Sequence, residues 1–316
     1  MAINASESNL KDIPVSQIDR NPENPRIIFQ PSELEELLES IRKFGVQVPI
    51  AVYRKGGRYI LIDGERRWRC CNKLGKDTIP ALIQDEPDPL TNLLLMFNIH
   101  ALREQWDLLT IALKLPRVLK MLETKLQHSP NEREISENTG LARTVIRRCK
   151  LLMDLPNNYK DQILEELRKP KGRQKITEDF FIEMERALKT VERAIPTVVD
   201  NKDRVRRTLI QKFQDDTIKS RIHFRYLAKI ARSEKVHLPR ELAEAELKKI
   251  FSPNSYSIEE SFSKYFASSY QERDLSTTLS SLIQELEFAS PEDFDSVTKS
   301  KLQALVSIIN GLLREG

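Results

Sequence analysis

The sequence is poor in the residues that build disulfide frameworks, zinc sites and membrane spans. It has only three cysteines, Cys70, Cys71 and Cys149, and none of them stands in the CxxC spacing of a metal site. Two of them are direct neighbours, which suits core packing better than a disulfide. No apolar run approaches the roughly 18 to 20 residues that a membrane helix needs, and the N-terminus lacks the pattern of a signal peptide. These absences predict a cytoplasmic protein that does not associate with a membrane.

The charge of the chain is nearly balanced overall but unevenly distributed. The 51 Lys and Arg residues exceed the 47 Asp and Glu residues, which gives a formal net charge of +4. Residues 236–316 contain 8 basic and 13 acidic side chains, so the positive excess lies in residues 1–235. We therefore expect a polyanionic partner to bind the part of the chain before residue 236.

An apolar strand, a glycine and a cluster of arginines form the most informative stretch. Residues 58–63 alternate as in a short buried strand, and Gly64 permits a sharp turn into a helix. Arg66, Arg67 and Arg69 then lie at the helix N-terminus, where free amide groups and the helix dipole also favour anions. The pattern predicts a phosphate site, and a triphosphate matches so much positive charge. A solvated or salt-bridged helix start is the structural alternative.

The surrounding segments predict a small α+β domain. Amphipathic spacing and a Ser/Glu capping pair predict a helix over residues 32–41. Strands are predicted over 50–54 and 59–63, joined by paired glycines that indicate a hairpin, and over 78–83. A further helix is predicted over 90–102.

The next part of the chain has helical periodicity. Residues 106–124 predict a helix that Pro116 should kink or split. Residues 132–152 fit a helix-turn-helix, with a glycine at the turn and apolar residues at the core positions. The basic and polar residues of its second helix are candidates for contacts with DNA bases and phosphates, although short basic hairpins also occur as plain structure. These candidates are Arg143, Thr144, Arg147, Arg148 and Lys150.

The remainder is predicted to be helical as well. Between residues 200 and 235 there are 11 basic and 5 acidic residues, which indicates either a solvated face or a phosphate-contacting surface. Residues 251–273 predict an ordered connector or a segment that docks a partner. Two amphipathic helices, over 275–286 and 302–313, either pack on the basic region or form a dimer interface.

Several of these segments resemble motifs of the ParB family. Residues 64–69, Gly-Glu-Arg-Arg-Trp-Arg, resemble its GERRxR box, which in that family grips the phosphates of CTP and closes a dimeric clamp on DNA. Residues 45–50 resemble its GVLQPI turn, and residues 98–100 resemble part of its ENxQR box. Residues 21–26 resemble the NPxQPR segment that opens the family's core. The resemblance covers about residues 12–200.

The resemblance implies a fold and a domain order. The fold is an α+β ParB/sulfiredoxin-like N-terminal domain, followed by a mainly α-helical helix-turn-helix DNA-binding domain and a helical C-terminal region. We predict a flexible N-terminus over 1–12, the nucleotide-binding domain over 13–103 and the DNA-binding domain over 104–235. Residues 236–316 form the acidic C-terminal region, which serves dimerisation or partner docking.

The resemblance also implies ligands and partners. CTP and Mg²⁺ are the expected cofactors, and Asn98 is the expected metal ligand. Double-stranded DNA, a second copy of the chain and a partner ATPase are the expected partners, which places the protein at the nucleoid or a plasmid. The implied nucleotide-binding residues are Gly45, Val46, Gln47, Gly64, Glu65, Arg66, Arg67, Arg69, Asn98 and His100.

Two departures from the family motifs bear on turnover. Val48 stands where the family has a glutamine, and Phe97 stands where it has a glutamate. A missing carboxylate weakens both metal binding and the activation of water, so we expect at most a slow CTPase. Three alternatives stay open: a helix-turn-helix regulator without nucleotide control, a ParB-like nuclease and a sulfiredoxin-like enzyme. The two enzymes lack support, because no paired carboxylates are evident and an arginine fills the place of the sulfiredoxin cysteine.

Overall fold

The computed structural model of the protein describes residues 9–24, 31–101 and 107–314. The chain forms two compact units, Met1–Arg186 and Ala187–Gly316. The first unit contains a sheet and helices, whereas the described elements of the second unit are all helical. This confirms the predicted α+β N-terminal part and the helical remainder. The division between the units falls inside the segment predicted to form the DNA-binding domain.

Five strands form one mixed sheet in the first unit. Their order is β1-β5-β3-β4-β2, in which β1 pairs antiparallel with β5, β5 parallel with β3, β3 antiparallel with β4, and β4 parallel with β2. The first strand begins three residues before the predicted start of the domain. The strands are β1 Leu10–Pro14, β2 Ile18–Asp19, β3 Ile50–Lys55, β4 Arg58–Asp63 and β5 Thr78–Gln84.

Eight α-helices complete the described part of the first unit, the last of which continues into the second unit. Apolar periodicity predicted most of them to within a few residues at each end. They are α1 Pro31–Phe44, α2 Glu65–Lys73, α3 Pro89–Ala101, α4 Leu108–Leu126, α5 Glu132–Thr139, α6 Arg143–Met153, α7 Asn157–Arg168 and α8 Glu178–Ala194.

The second unit continues with helices of mixed length. The segment 251–273, predicted as a connector or docking segment, is ordered and buries Phe251, Phe262, Phe266 and Tyr270. Among the described residues, no helix combines the length and the apolar character needed to cross a membrane. The helices are α9 Lys202–Gln214, α10 Phe224–Ile230, α11 Arg240–Ile250, α12 Ile258–Tyr265, α13 Ala267–Glu287 and α14 Ser296–Arg314.

Different helices cover the two faces of the sheet. Because side chains alternate along a strand, Val52 and Tyr53 point to opposite faces. Helices α1 and α2 pack on the face of Val52, where Cys70 and Cys71 are buried in the core. Helix α3 covers the other face, where Met96 packs against Tyr53. All three cysteines of the chain are free and buried, which confirms their expected role as core residues.

Gly64 joins β4 to α2 in a geometry that only glycine fits. Its φ is +95°, in the left-handed region. A Cβ atom at this position would lie 2.6 Å from Cγ2 of Ile50 and 3.0 Å from Nη2 of Arg67. Both the backbone conformation and the contact with β3 therefore require a glycine.

Helix α4 is continuous through Pro116, so of the two predicted outcomes, a kink or a split, the split is wrong. Proline removes one backbone hydrogen bond from the helix interior. The tertiary packing outweighs this loss, because Leu109, Ala112, Leu115 and Val118 on both sides of the proline are almost fully buried.

Glu178, the first residue of α8, binds the start of α4. Its Oε1 accepts a hydrogen bond from the N–H of Leu109 at 3.1 Å. Burial, together with the neighbouring carboxylates of Asp107 and Asp179, raises the pKa of Glu178 to about 7.

Substitution of Gly64 by alanine should destabilise the first unit by at least about 2 kcal/mol, because a positive φ and a steric clash add together. Gly75→Ala is the matched control, since Gly75 has a φ of +64° but no heavy atom lies within 4 Å of the place that its Cβ atom would occupy. We expect this control to cost about 1 kcal/mol. Urea unfolding of both variants measures the difference, and equal losses of stability would contradict the steric account of Gly64.

The pKa of Glu178 predicts a pH dependence of stability. The folded state raises this pKa above its unfolded value of about 4.3, so the folded state binds the proton more tightly. The Glu178 contribution to the free energy of unfolding should fall as the pH rises from about 4.5 to about 7. We expect Glu178→Gln to be more stable than the native chain at pH 8 by up to about 3 kcal/mol, and by much less at pH 5.

Urea unfolding at both pH values provides this comparison. Glu137→Gln, which changes an exposed carboxylate, is the control and should leave the pH dependence unchanged. A stability difference between Glu178→Gln and the native chain that is the same at pH 5 and pH 8 would contradict the raised pKa.

Candidate functional site

The first residue of α2, Glu65, is a buried carboxylate surrounded by basic and amide groups. It is 6% exposed. Its Oε1 accepts hydrogen bonds from Nε and Nη2 of Arg69, at 2.9 and 2.7 Å, and lies 2.7 Å from Nε of Arg20. Its Oε2 accepts from Nδ2 of Asn24 at 2.7 Å. Two guanidinium groups and one amide thus compensate a single buried negative charge.

Arg67 ties the start of α2 to the turn that precedes β3. Its Nη1 donates to the carbonyl oxygens of Val48 and Pro49, at 2.5 and 2.8 Å. Its Nη2 donates to Oδ2 of Asp63 at 3.1 Å. The side chain of Arg67 is 14% exposed. Sequence reasoning proposed Arg67 for phosphate binding, and the structure shows that the same guanidinium also stabilises the fold.

Arg69 and Arg20 have more accessible guanidinium groups than Arg67. Arg66 is partly buried, the side chain of Arg69 is 32% exposed and that of Arg20 is 51% exposed. Gly64 has no side chain with which to cap the first turn of α2. The start of α2 therefore brings guanidinium groups next to a helix N-terminus, which suits an anion.

The predicted site residues before β3 have different surroundings. Gly45 ends α1 with a φ of +72°, and its N–H donates to the carbonyl of Ile41 at 2.9 Å. Val46 packs on the core of the α1–α2 face. Gln47 is exposed, and its Nε2 donates to the carbonyl of Phe44. Gly45 and Val46 thus have clear roles in the fold, while the amide of Gln47 is on the surface.

Helix α3 brings the candidate metal ligand to the turn between α5 and α6. Oδ1 of Asn98 lies so close to Gly140 that a Cβ atom at this position would clash with it. Phe97 is fully buried, so the position where the family carries a carboxylate is part of the core here. The side chain of His100 lies outside the described residues. No group of three or more His, Cys, Asp or Glu residues suited to a metal ion occurs in the described ranges, and Mg²⁺ at Asn98 stays a prediction.

A short loop, residues 20–24, forms side-chain contacts with α2 and with two further helices. We name it the hub loop. Arg20 and Asn24 hold it to α2 through Glu65. Asn21, which is 3% exposed, donates from Nδ2 to Oδ1 of Asn92 in α3 at 2.8 Å. The hub loop therefore contacts the helix of the candidate phosphate site and the helix of Asn98.

The hub loop also binds α4. Oε1 of Glu23 lies 2.6 Å from Nη1 of Arg117, and Nζ of Lys114 donates to the carbonyl of Pro22 at 2.9 Å. Glu23 is 8% exposed. Helix α4 packs in turn against α6, which carries the candidate DNA-binding residues. One loop thus joins both candidate sites through charged and amide contacts.

Sequence reasoning missed the contacts of the hub loop. Residues 21–26 resembled a family motif and otherwise indicated a proline-rich connector. Pro25 and Arg26 lie outside the described residues. The signal available in the sequence was the set of polar side chains Asn21, Glu23 and Asn24, which a plain connector does not need.

Helices α5 and α6 are joined by three residues, the first of which is the predicted turn glycine, Gly140. Asn131 caps α5, and its capping box with Glu134 is complete. Gly140 ends α5 with a φ of +72°, and Oγ of Ser136 donates to the carbonyl of Leu141 across the turn at 2.7 Å. The predicted core positions are almost fully buried, namely Ile135, Leu141, Ile146 and Cys149.

The candidate DNA-binding residues of α6 differ in their environment. Arg143 and Thr144, at the start of α6, are exposed, and Lys150 is partly buried. Nε of Arg147 lies 2.8 Å from Oε2 of Glu132, at the start of α5. Arg148 forms an ion pair with Asp179, at the start of α8. No sequence pattern placed these two carboxylates next to α6.

Three basic residues of the run between 200 and 235 are paired with a carboxylate or buried. Arg204 pairs with Asp200 at 2.8 Å, and Arg207 pairs with Asp203 at 3.3 Å. Lys212 is 4% exposed, and burial lowers its pKa to about 8. These contacts favour the structural interpretation for residues 204–212 of this run.

The family model for the ParB N-terminal domain matches residues 1–98. A probable chromosome-partitioning protein ParB of Pseudomonas putida is 34% identical over 164 residues, which are 51% of this chain and 54% of that protein. The chain spans about half the length of the relatives it matches.

Two solved structures of a C-terminally truncated ParB from Caulobacter crescentus are also similar. The complex with CTP-γ-S is 27% identical, with a TM-score of 0.29, and covers 53% of this chain and 91% of that one. The complex with the centromeric parS site is 22% identical, with a TM-score of 0.43, and covers 71% of this chain and 99% of that one. Residues 1–98 therefore match the ParB N-terminal domain, and the chain is similar to ParB proteins over about half of its length.

Proposed function

We propose that the chain is a ParB-type DNA-binding protein of the partition class whose binding to DNA is controlled by CTP. CTP with Mg²⁺ binds at the start of α2, and DNA binds to α5 and α6, which act as a helix-turn-helix. The observation that carries this proposal is the hub loop, because its contacts with α2, α3 and α4 connect the two candidate sites.

The chemistry of the nucleotide site follows from the start of α2. A triphosphate is a polyanion, and Arg66 and Arg69 offer it guanidinium donors beside the amide groups of the helix N-terminus. Gly64 provides the turn that directs the N-terminus of α2 toward this site, since its φ of +95° and its contact with Ile50 exclude a side chain. Asn98 is the proposed magnesium ligand, as amide oxygens suit a hard cation.

Nucleotide binding would act on the contacts of Glu65. A bound phosphate competes with Glu65 for the guanidinium groups of Arg69 and Arg20, both of which are accessible enough to turn toward a ligand. The hub loop would then lose part of its attachment to α2. Because Glu23 holds the same loop to Arg117 of α4, a displacement of the loop would reach α4. It would then reach α6, which packs on α4 and carries the proposed DNA-binding residues.

The proposed turnover is slow. A catalytic carboxylate near the phosphates would activate water, and the corresponding position holds the buried side chain of Phe97. The protein's own groups can position a nucleotide, so hydrolysis serves regulation at most. The resemblance to the ParB family adds two expectations to this proposal: a partner ATPase, and a location at the nucleoid or on a plasmid.

A homodimer is part of the proposal, and the last two helices support it. Helices α13 and α14 and the residue that follows α13 expose many large apolar side chains. Single exposed apolar residues are normal on a protein surface, but a group of this size indicates an interface. The same faces on a second copy would provide a self-complementary surface. The exposed residues include Leu275, Ile283, Phe288, Val306, Leu312 and Leu313.

A second candidate function is a helix-turn-helix regulator without nucleotide control. The contacts of Arg67 with Val48, Pro49 and Asp63 favour it, because they show that a conspicuous arginine of the box serves the fold. If the arginines of residues 64–69 only stabilised the fold, the protein would bind no nucleotide there, and its DNA binding would not depend on nucleotide.

Calorimetric titration with CTP, GTP, ATP and UTP in the presence of Mg²⁺ tests the nucleotide site. We expect the native chain to bind CTP in preference to the other three. Arg66→Ala should weaken this binding at least about tenfold, because a charge-assisted contact with phosphate is lost. Arg42→Ala removes an equal charge from an exposed ion pair of α1 and should bind CTP as the native chain does.

The folded state of each variant is checked by circular dichroism. A folded native chain that binds none of the four nucleotides would refute the proposal and favour the regulator without nucleotide control. CTP affinity that is equal in Arg66→Ala and Arg42→Ala would refute the assignment of the site to the start of α2.

A further inference from the structure

Carboxylates from two other helices bind two adjacent arginines of α6. Nε of Arg147 lies 2.8 Å from Oε2 of Glu132, and Nη2 of Arg148 is bonded to Oδ1 of Asp179. In each pair the carboxylate comes from outside α6. These pairs therefore fix the two arginines relative to α5 and α8.

Both carboxylates stand in the first turn of their own helix. Glu132 is the first residue of α5, and Asp179 is the second residue of α8. The positive end of a helix dipole favours an anionic side chain there. Each carboxylate therefore lies at the positive end of a helix and next to an arginine of α6.

We propose that Glu132 and Asp179 are specificity-determining residues for DNA binding. Each one competes with DNA phosphates for its arginine and keeps that guanidinium in one orientation. Binding to DNA of arbitrary sequence is weakened, because the phosphates must displace a carboxylate and approach a negative charge. This inference rests on the proposed function, in which α6 contacts DNA.

Both ion pairs are exposed enough for DNA to compete with the carboxylates for the arginines. The side chains of Arg147 and Glu132 are 62% and 32% exposed, and those of Arg148 and Asp179 are 35% and 41% exposed. Exposed ion pairs contribute little to stability, so a well-placed ligand can exchange them. A base edge that accepts hydrogen bonds from the guanidinium binds more tightly when the carboxylate already holds that guanidinium in the right orientation. A phosphate elsewhere on the duplex has no such advantage.

The matched control comes from the same helix as Glu132. Glu137 in α5 pairs with Arg133 at 2.7 Å, within α5 and away from α6. Glu132→Gln, Asp179→Asn and Glu137→Gln each remove one negative charge, so their net charges are equal. Any difference between them reports the position of the carboxylate and not the total charge.

The experiment measures binding of the full chain to two duplexes over a series of salt concentrations. One duplex has a random sequence, and the other is the site that the native chain selects from a random pool. We expect Glu132→Gln and Asp179→Asn to bind the random duplex about three- to fivefold more tightly than Glu137→Gln does. Their affinity for the selected duplex should rise less or fall, so the ratio of the two affinities decreases.

The outcomes separate this inference from the proposed function. A native chain that binds neither duplex, and selects no site, contradicts DNA binding itself. A native chain that binds DNA while all three variants behave alike overturns the role of Glu132 and Asp179. Weaker binding of Glu132→Gln and Asp179→Asn to both duplexes also overturns it, because the carboxylates would then support DNA binding in general.

Discussion

The buried carboxylate of Glu65 is the constraint on which the described N-terminal part depends. A carboxylate that is almost inaccessible to water must be compensated by hydrogen bonds and positive charge. Arg20, Asn24 and Arg69 supply them, and because the two arginines are partly exposed, loss of one of them should cost less than the roughly 3–5 kcal/mol of a fully buried pair. This requirement holds the hub loop against α2. It also draws guanidinium groups to the place where we propose that phosphates bind.

The hub loop extends this constraint to the rest of the first unit. Its amide and carboxylate groups bind α3 through Asn92 and α4 through Arg117. Helix α4 packs on α6, while Asn98 of α3 contacts the turn before α6 at Gly140. Two routes of direct contact thus lead from α2 to the helix that we propose to bind DNA. In this account a phosphate alters DNA binding by changing the partners of one carboxylate.

Local pattern predicted the elements well, whereas the partners of the side chains depended on tertiary structure. Apolar periodicity and turn glycines identified the hairpin and α5 with α6, because these signals are encoded within a few residues. The pairing of Glu65 with Asn24 joins residues 41 positions apart, and that of Arg148 with Asp179 joins residues 31 apart. No periodicity encodes such pairs. Pro116 shows the same limit, since long-range packing outweighed a strong local signal.

The linkage between nucleotide and DNA is the most direct test of this account. The affinity for the selected duplex is measured with and without CTP and Mg²⁺, for the native chain, Glu23→Gln and the control Glu86→Gln, whose carboxylate pairs with Lys55 on the surface. We predict that CTP changes the DNA affinity of the native chain and the control by about fivefold or more. In Glu23→Gln the change should shrink toward none while CTP still binds. An equal effect of CTP on all three proteins, or no effect on a native chain that binds CTP, would contradict the account.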